Sequence, residues 1–406
     1  MKRILFFSLV LIGACRRSDS PAPPAEEPFV PPPTGAPVET RAPHTSYQPA
    51  FTGQTRIGSV RTGTPWRSQV IFSGLSNPWG IASLPDGRLL ITQKPGTIRI
   101  ISTSGTAGAT ITGLPPVAAG GQGGLLDILP DRAFTQNRML YWSYSEEFGN
   151  GRVTALAKGR LSDDEQRIEN ATVLFRTSPY PSQSHFGGRI REDAAGNLIL
   201  TTGDRAWSLM HVQDLNSGNG KVIRVQKNGQ PASGNPFIGQ ANALGEVYSY
   251  GHRNVQGLAL HPQTGSVWIS EMGPRGGDEL NLILPGRNYG WPVISYGLEY
   301  NGQPVGAGIT QQNGMEQPVY YWDPSIAPSG MTFHSGNNFP EWKNNLFIGT
   351  LAGQHIIRLV LHNDRVIGEE RLLASEGQRF RSITEGNDGA LYAITDGGRL
   401  YRIARQ

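Results

Sequence analysis

The 406-residue chain carries 52 glycines and 30 prolines, too much turn-forming sequence for a helical protein, and long amphipathic helical patterns are missing. Its formal charge of +4 comes from scattered arginines without runs of adjacent Lys and Arg, which argues against a nucleic-acid or membrane-surface patch. One cysteine, Cys15, leaves no disulfide framework to build.

In chain order, Met1-Lys2-Arg3 precedes an apolar stretch from Ile4 to Gly13, too short to anchor in a bilayer but suited to the core of an export signal. Ile12-Gly13-Ala14-Cys15 resembles a bacterial lipobox, so residues 1–14 are expected to be a lipoprotein-type signal peptide. An ordinary signal peptide is the alternative. Acylated Cys15 would hold an exported protein at the periplasmic or outer-membrane surface. Residues 15–66, rich in Pro, Ala, Ser and Thr over 18–50, are expected to form a disordered tether.

Over 67–406 one phrase recurs: a turn with Gly, Asp or Asn, then an apolar strand ending in a small or polar residue. Its six copies are Leu89–Thr92, Met139–Ser143, Leu198–Thr201, Val267–Ser270, Leu346–Gly349 and Leu391–Ile394. Several precede a second strand, as at Thr97–Ile100 and Leu400–Ile403. This spacing predicts an all-β, six-bladed β-propeller, with Gln69–Phe72 and Arg399–Ile403 sharing a blade that closes the ring. A pair of β-sandwiches or a β-helix would also give short, regularly spaced strands, though a β-helix repeats at a shorter, stricter period.

Loops on one face of a propeller converge, so distant motifs can share a site. Ser184-His185-Phe186-Gly187-Gly188 precedes the third repeat strand, and a neutral imidazole there could take a proton near neutral pH, or could equally be a surface histidine. Arg253 and Asn254 offer a guanidinium fork and an amide, and Gln122 an amide on a glycine loop. Arg379 and Arg381 point to one side of an extended segment, facing either solvent or an anion. Gly273-Pro274 leaves carbonyls free, while Asp278, Glu279 and Tyr289 add oxygen atoms; calcium suits such a set, and a solvated acidic turn is the bland alternative.

Taken together, Asn77-Pro78-Trp79-Gly80, Gly121–Leu125, His185–Arg189, Gly251–Asn254, Gly273–Glu279, Asn288–Pro292, Pro328–Met331 and Arg379–Arg381 resemble the soluble PQQ-dependent sugar dehydrogenases, the aldose sugar dehydrogenase branch more than the glucose dehydrogenase branch. The likeness runs in one order from about 75 to 403. It implies that His185 is the general base on the anomeric hydroxyl, and that Gln122, Arg253, Asn254, Ser325, Arg379 and Arg381 hold pyrroloquinoline quinone (PQQ). It further implies a calcium ion on the carbonyls of Gly273 and Pro274, and a second, structural one using Glu279 and Tyr289 with Asp278 nearby. The implied reaction oxidises an aldose at C1 to the lactone and passes electrons to an external acceptor.

Three positions depart from the glucose dehydrogenase branch. Ser184 stands where that branch has an aspartate, Ala352 where it has a cofactor lysine, and Asp323 where an aromatic lines the sugar entrance. Expected partners are an aldose and an electron acceptor, without nucleic acid, with membrane contact only through a lipid on Cys15, in a monomer or homodimer. A non-catalytic sugar-binding or adhesion propeller is the main rival, since the fold hosts unrelated functions. A calcium-dependent lactonase is the other; it needs a central cage of carboxylates and no cluster of arginines.

Overall fold

The computed structural model describes residues 34–206 and 209–406, so the expected signal peptide and residues 15–33 of the expected tether, Cys15 among them, lie outside the described residues. The strands come in chain order. After β1 (Trp66–Ser73) come β2 (Pro78–Ser83), β3 (Leu89–Gln93), β4 (Thr97–Ile101) and β5 (Ala107–Ile111), then β6 (Leu125–Pro130), β7 (Met139–Phe148), β8 (Gly151–Leu161) and β9 (Ile168–Arg176). The third group is β10 (Gly187–Glu192), β11 (Leu198–Thr202), β12 (Lys221–Val225) and β13 (Val247–Tyr250); the fourth is β14 (Val255–Leu260), β15 (Val267–Glu271), β16 (Asp278–Ile283) and β17 (Tyr320–Trp322). Last come β18 (Pro328–Phe333), β19 (Leu346–Thr350), β20 (Ile356–His362) and β21 (Arg365–Leu372), then β22 (Phe380–Glu385), β23 (Leu391–Thr395) and β24 (Arg399–Arg405).

These form six four-stranded antiparallel sheets, and β1 completes the last of them beside β24. The innermost strands β2, β6, β10, β14, β18 and β22 each touch the next, and β22 touches β2, so the sheets stand in a ring as a six-bladed β-propeller. The expected closure between Gln69–Phe72 and Arg399–Ile403 is the one observed, with Val70 opposite Tyr401. That pairing leaves the ring without a free seam.

Burial explains the repeated phrase. Strands β3, β11, β15, β19 and β23 are buried along their whole length, because neighbouring blades cover both faces. They therefore read as continuous apolar runs instead of alternating ones. Each inner strand also shifts register against its partner near its first residues, at Pro78/Ile81, Leu125/Ile128, Gly187/Ile190, Val255/Gly257, Pro328/Met331 and Phe380/Ser382. Such bulges bend a strand and re-aim its side chains. All six lie at the same end of the ring.

At the axis sits Arg189, fully buried on β10. Its Nε donates to the Gln256 carbonyl at 2.6 Å, Nη1 to Ser382 Oγ at 3.0 Å and Nη2 to the Arg381 carbonyl at 2.9 Å. Asp127 lies 3.4 Å from Nη1, and the guanidinium carbon stands 3.9 Å from the centre of the Trp79 ring. Burial lowers its pKa to about 9 against the pull of Asp127. One side chain thus touches blades one, two, four and six from blade three.

Residues 34–65 correct the expectation of a disordered tether over that span. Gly35 pairs with Ser59, Val60 bonds the Glu369 carbonyl on β21, and the fully buried Gln54 donates to the Pro318 carbonyl. Prolines and small residues suited this stretch to lie extended over the outer edges of blades four and five, where side chains of the propeller satisfy its backbone.

Because removing one partner of a buried charge network costs roughly 3–5 kcal/mol, Arg189→Leu is expected to lower the midpoint of urea unfolding markedly. An unchanged midpoint would show that the axial guanidinium contributes nothing to ring stability.

Candidate active site

The loop before β10 places His185 in the left-handed region, at φ 49°. A side chain at Gly203 would collide with the His185 carbonyl, so only glycine permits this approach. The His185 amide donates to Gln122 Oε1 at 2.8 Å. Its Nδ1 donates to Asp204 Oδ1 at 2.7 Å, and Asp204 in turn accepts from Trp291 Nε1 at 2.9 Å and from the Ala206 amide at 2.6 Å. A carboxylate can only accept here, so the bond fixes the tautomer and leaves Nε2 with its lone pair. Burial, helped by the Arg253 and Arg205 guanidiniums, holds the imidazole pKa below its ordinary value despite the upward pull of Asp204. The side chain is set as a neutral base.

Beside it opens a cavity of about 220 Å³ to which all six blades contribute. Trp79, Leu126, Phe186, Met272 and Leu351 give it apolar walls; Gln122, Asn254, Lys94, Arg379 and Arg381 give it polar ones. Arg379 and Arg381 both bond Asp396, at 2.9 Å and 2.8 Å, so a local acid accompanies the two arginines after all. Lys94 donates to the Gly121 carbonyl, and burial together with Arg381 lowers its pKa. Three cations against one carboxylate, over apolar walls, suit a flat polyanion.

The other expected cofactor residues are placed differently. Arg253 Nη1 donates to the carbonyls of Met272 at 2.9 Å and Gly273 at 2.8 Å, its guanidinium lies 5.2 Å from the Trp291 ring centre, and its buried Nε has no partner. Ser325 Oγ accepts from the Gly276 amide at 2.7 Å and does not line the cavity, whereas Ala327 does. Asn254 Oδ1 accepts from the Gly187 amide at 3.3 Å, and its side chain faces the cavity.

Among the expected metal residues, Gly273 and Pro274 form a loop whose Gly273 carbonyl already receives Arg253. A carbonyl oxygen has two lone pairs, so this does not prevent a cation from sharing it. Both oxygens of Asp278 are taken by backbone amides, of Gly273 at 2.8 Å and of Ile326 and Ala327 at 2.7 Å. It staples two loops instead of facing a cation, with burial pushing its pKa up to about 6. The Tyr289 hydroxyl likewise spends itself on the Leu282 carbonyl and the Leu284 amide. Glu279 faces Glu271 across a void of about 10 Å³, room for one water or ion, and burial together with Glu271 raises the Glu279 pKa well above the usual carboxylate range. Asn281 Nδ2 donates to both Glu271 and Glu279, at 3.1 Å and 3.0 Å, and Glu271 also accepts from the Arg253 amide at 2.7 Å, so a cation here would share oxygens that already accept hydrogen bonds. Among the described residues no group of three or more His, Cys, Asp or Glu side chains could hold a metal, so backbone oxygens would have to complete either site.

Two departures acquire a physical account. Ser184 does not leave His185 unoriented, because Asp204 orients it. Asp323 does not line the cavity, and its buried carboxylate accepts from the His44 and Thr45 amides at 2.9 Å and 3.0 Å. The sequence reading missed Asp204, Lys94, Asp396 and Glu271. All four lie at or within two residues of the end of a blade's second strand, β11, β3, β23 and β15, so counting from the end of each repeated phrase would have found them.

Residues 75–402 match the family described as Glucose / Sorbosone dehydrogenase, and the chain belongs to it. It is 39% identical over 342 residues to the aldose sugar dehydrogenase YliI of Escherichia coli K12, covering 83% of this chain and 92% of that protein. A crystal structure of a glucose dehydrogenase is 43% identical with a TM-score of 0.80, over 84% of this chain and 99% of the other. The PQQ-bound aldose sugar dehydrogenase of Streptomyces coelicolor is 28% identical with a TM-score of 0.70, over 85% of this chain and 100% of its own.

Asp204 raises the His185 pKa, so Asp204→Asn should lower it further and move the acid limb of the pH–kcat profile to lower pH. Loss of the tautomer should also reduce kcat by about 10²-fold. A profile and kcat equal to those of the parent would detach Asp204 from the base.

Proposed function

We propose that this chain oxidises aldoses at C1 to the corresponding lactones, using PQQ and calcium, and hands the electrons to an external acceptor. The observation that carries this is an imidazole, held neutral and in one tautomer by Asp204, beside a cavity where Lys94, Arg379 and Arg381 converge. The residues present fit both groups. Guanidiniums and an ammonium would offset the carboxylates of a planar quinone, Trp79, Leu126 and Met272 would give it apolar walls, and the Gly273–Pro274 carbonyls and the Glu271–Glu279 void would offer oxygens to hard cations.

When bound, the quinone supplies a two-electron acceptor and a calcium ion beside it a Lewis acid. The protein's own part is proton management and placement. His185 Nε2 takes the proton of the anomeric hydroxyl as the C1 hydrogen departs with its electron pair, leaving the lactone carbonyl. Asp204 steadies the imidazolium so formed, and Trp291 keeps Asp204 aimed. Gln122, by accepting from the His185 amide, ties the base to the cavity wall. The same reading has the protein exported and tethered through a lipid on Cys15.

Purified chain incubated with PQQ and calcium should reduce a dye such as dichlorophenolindophenol when given aldoses. His185→Ala should retain PQQ uptake yet lose roughly 10²–10⁴-fold in kcat, while Arg381→Ala should instead weaken PQQ uptake. Full turnover by His185→Ala would remove the base from the mechanism, and tight uptake without any dye reduction would leave a sugar-binding module.

A further inference from the structure

Residues 34–65 precede the family match, which begins at residue 75, yet hydrogen bonds and short stretches of backbone tie them to the wall of the cavity. The Asp323 carboxylate accepts from the amides of His44 and Thr45 at 2.9 Å and 3.0 Å and from Thr45 Oγ1 at 3.0 Å. Arg56, from the same segment, donates to the Asp323 carbonyl at 2.8 Å and to the Glu39 carbonyl at 3.1 Å, while Glu39 bonds Arg371 on β21 at 2.9 Å. Asp323 opens the turn that enters β18. Two residues on, Ser325 Oγ accepts from Gly276, and the Ile326 and Ala327 amides donate to Asp278, whose other oxygen holds the Gly273 amide. Ala327 and Met272 line the cavity.

The loops over 273–278 and 323–327 are held by these side-chain bonds together with backbone bonds of Arg275 to Leu298, Gly277 to Trp322 and Ala327 to Leu351. Glycines at 273, 276 and 277, the last two in left-handed conformations, make the first loop costly to order. A carboxylate clamped by three donors fixes the start of the second loop, and the second loop fixes the first through Ser325 and Asp278. Any ligand that needs both loops in one arrangement then binds without ordering them itself.

We propose that the segment 34–65 is a positioning strap: by gripping Asp323, His44 and Thr45 preorder the two loops that carry Ala327 and follow Met272 in the cavity wall. Under the function proposed above, on which this consequence rests, the strap raises affinity for PQQ and calcium without touching either. The strap belongs to this side of the site as firmly as the blades do, although it stands outside the family segment.

The test uses the full chain with Asp323→Asn, and with Thr45→Pro, which removes the amide donor and the hydroxyl together. Hydrogen exchange of the apoprotein should speed up about tenfold or more in peptides covering 272–278 and 323–328 and stay at the parental rate in β6–β9. PQQ titrated with calcium, followed by tryptophan quenching, should show a Kd raised about tenfold, with kcat at saturating PQQ and calcium equal to the parent's. Parental exchange in both loops, or exchange accelerated throughout the propeller, would overturn the strap as a positioning element. Loop-confined acceleration in a chain whose parent takes up no PQQ would uphold the strap and defeat the cofactor reading.

Discussion

Arg189 is the interaction on which the arrangement depends. A ring of six sheets brings bent inner strands to one axis, where backbone carbonyls and hydroxyls from several blades face each other away from water. A single guanidinium, planar and with five donors, satisfies the Gln256 and Arg381 carbonyls and Ser382 at once, while its face rests on Trp79 and its charge meets Asp127. Lysine could not reach in so many directions. Burial lowers its pKa more than Asp127 raises it. With the axis plugged at this level, the six bulged strand starts spread above it and their loops enclose a cavity.

Charge is segregated within that cavity and beneath its edge. Lys94, Arg379 and Arg381 gather on one side with Asp396 as their sole carboxylate in the cluster, whereas Glu271 and Glu279 press together a short way off. Arg253 lies between the two, bonded to the Met272 and Gly273 carbonyls. Burial and Arg381 lower the Lys94 pKa, and burial and Glu271 raise that of Glu279. An anion for the first and a cation for the second would relieve both, which is the charge pattern that a polycarboxylate quinone and a calcium ion present. His185 stands at the boundary, kept neutral by burial and oriented by Asp204.

Much of this was legible in the chain. Six apolar phrases with Gly, Asp or Asn turns wrote the six blades, because a strand covered on both faces has to be apolar throughout, and the sharing of one blade by Gln69–Phe72 and Arg399–Ile403 followed from closing the ring. His185, Gln122, Arg379 and Arg381 were found because glycine loops and paired arginines stand out locally. What escaped depends on contacts between the start of a blade's inner strand and the end of its second strand. Asp204 is nineteen residues from His185, and Asp396 is fifteen from Arg381; each looked like an ordinary polar residue after a strand. Asp278 reads as a metal ligand in sequence, yet folding spends both its oxygens on three amides. The proline-rich composition of residues 34–65 suggested disorder, but composition carries no information about the propeller edge that receives the segment.

The account stands on an anionic quinone being gripped by cations that only ring closure assembles. Equilibrium titration of the purified chain with PQQ in excess calcium, repeated at rising sodium chloride, tests it most directly. Saturation at one PQQ per chain, with affinity that weakens as salt screens Lys94, Arg379 and Arg381, is the predicted result. Absence of saturable uptake, or uptake indifferent to salt and to loss of these cations, would contradict it.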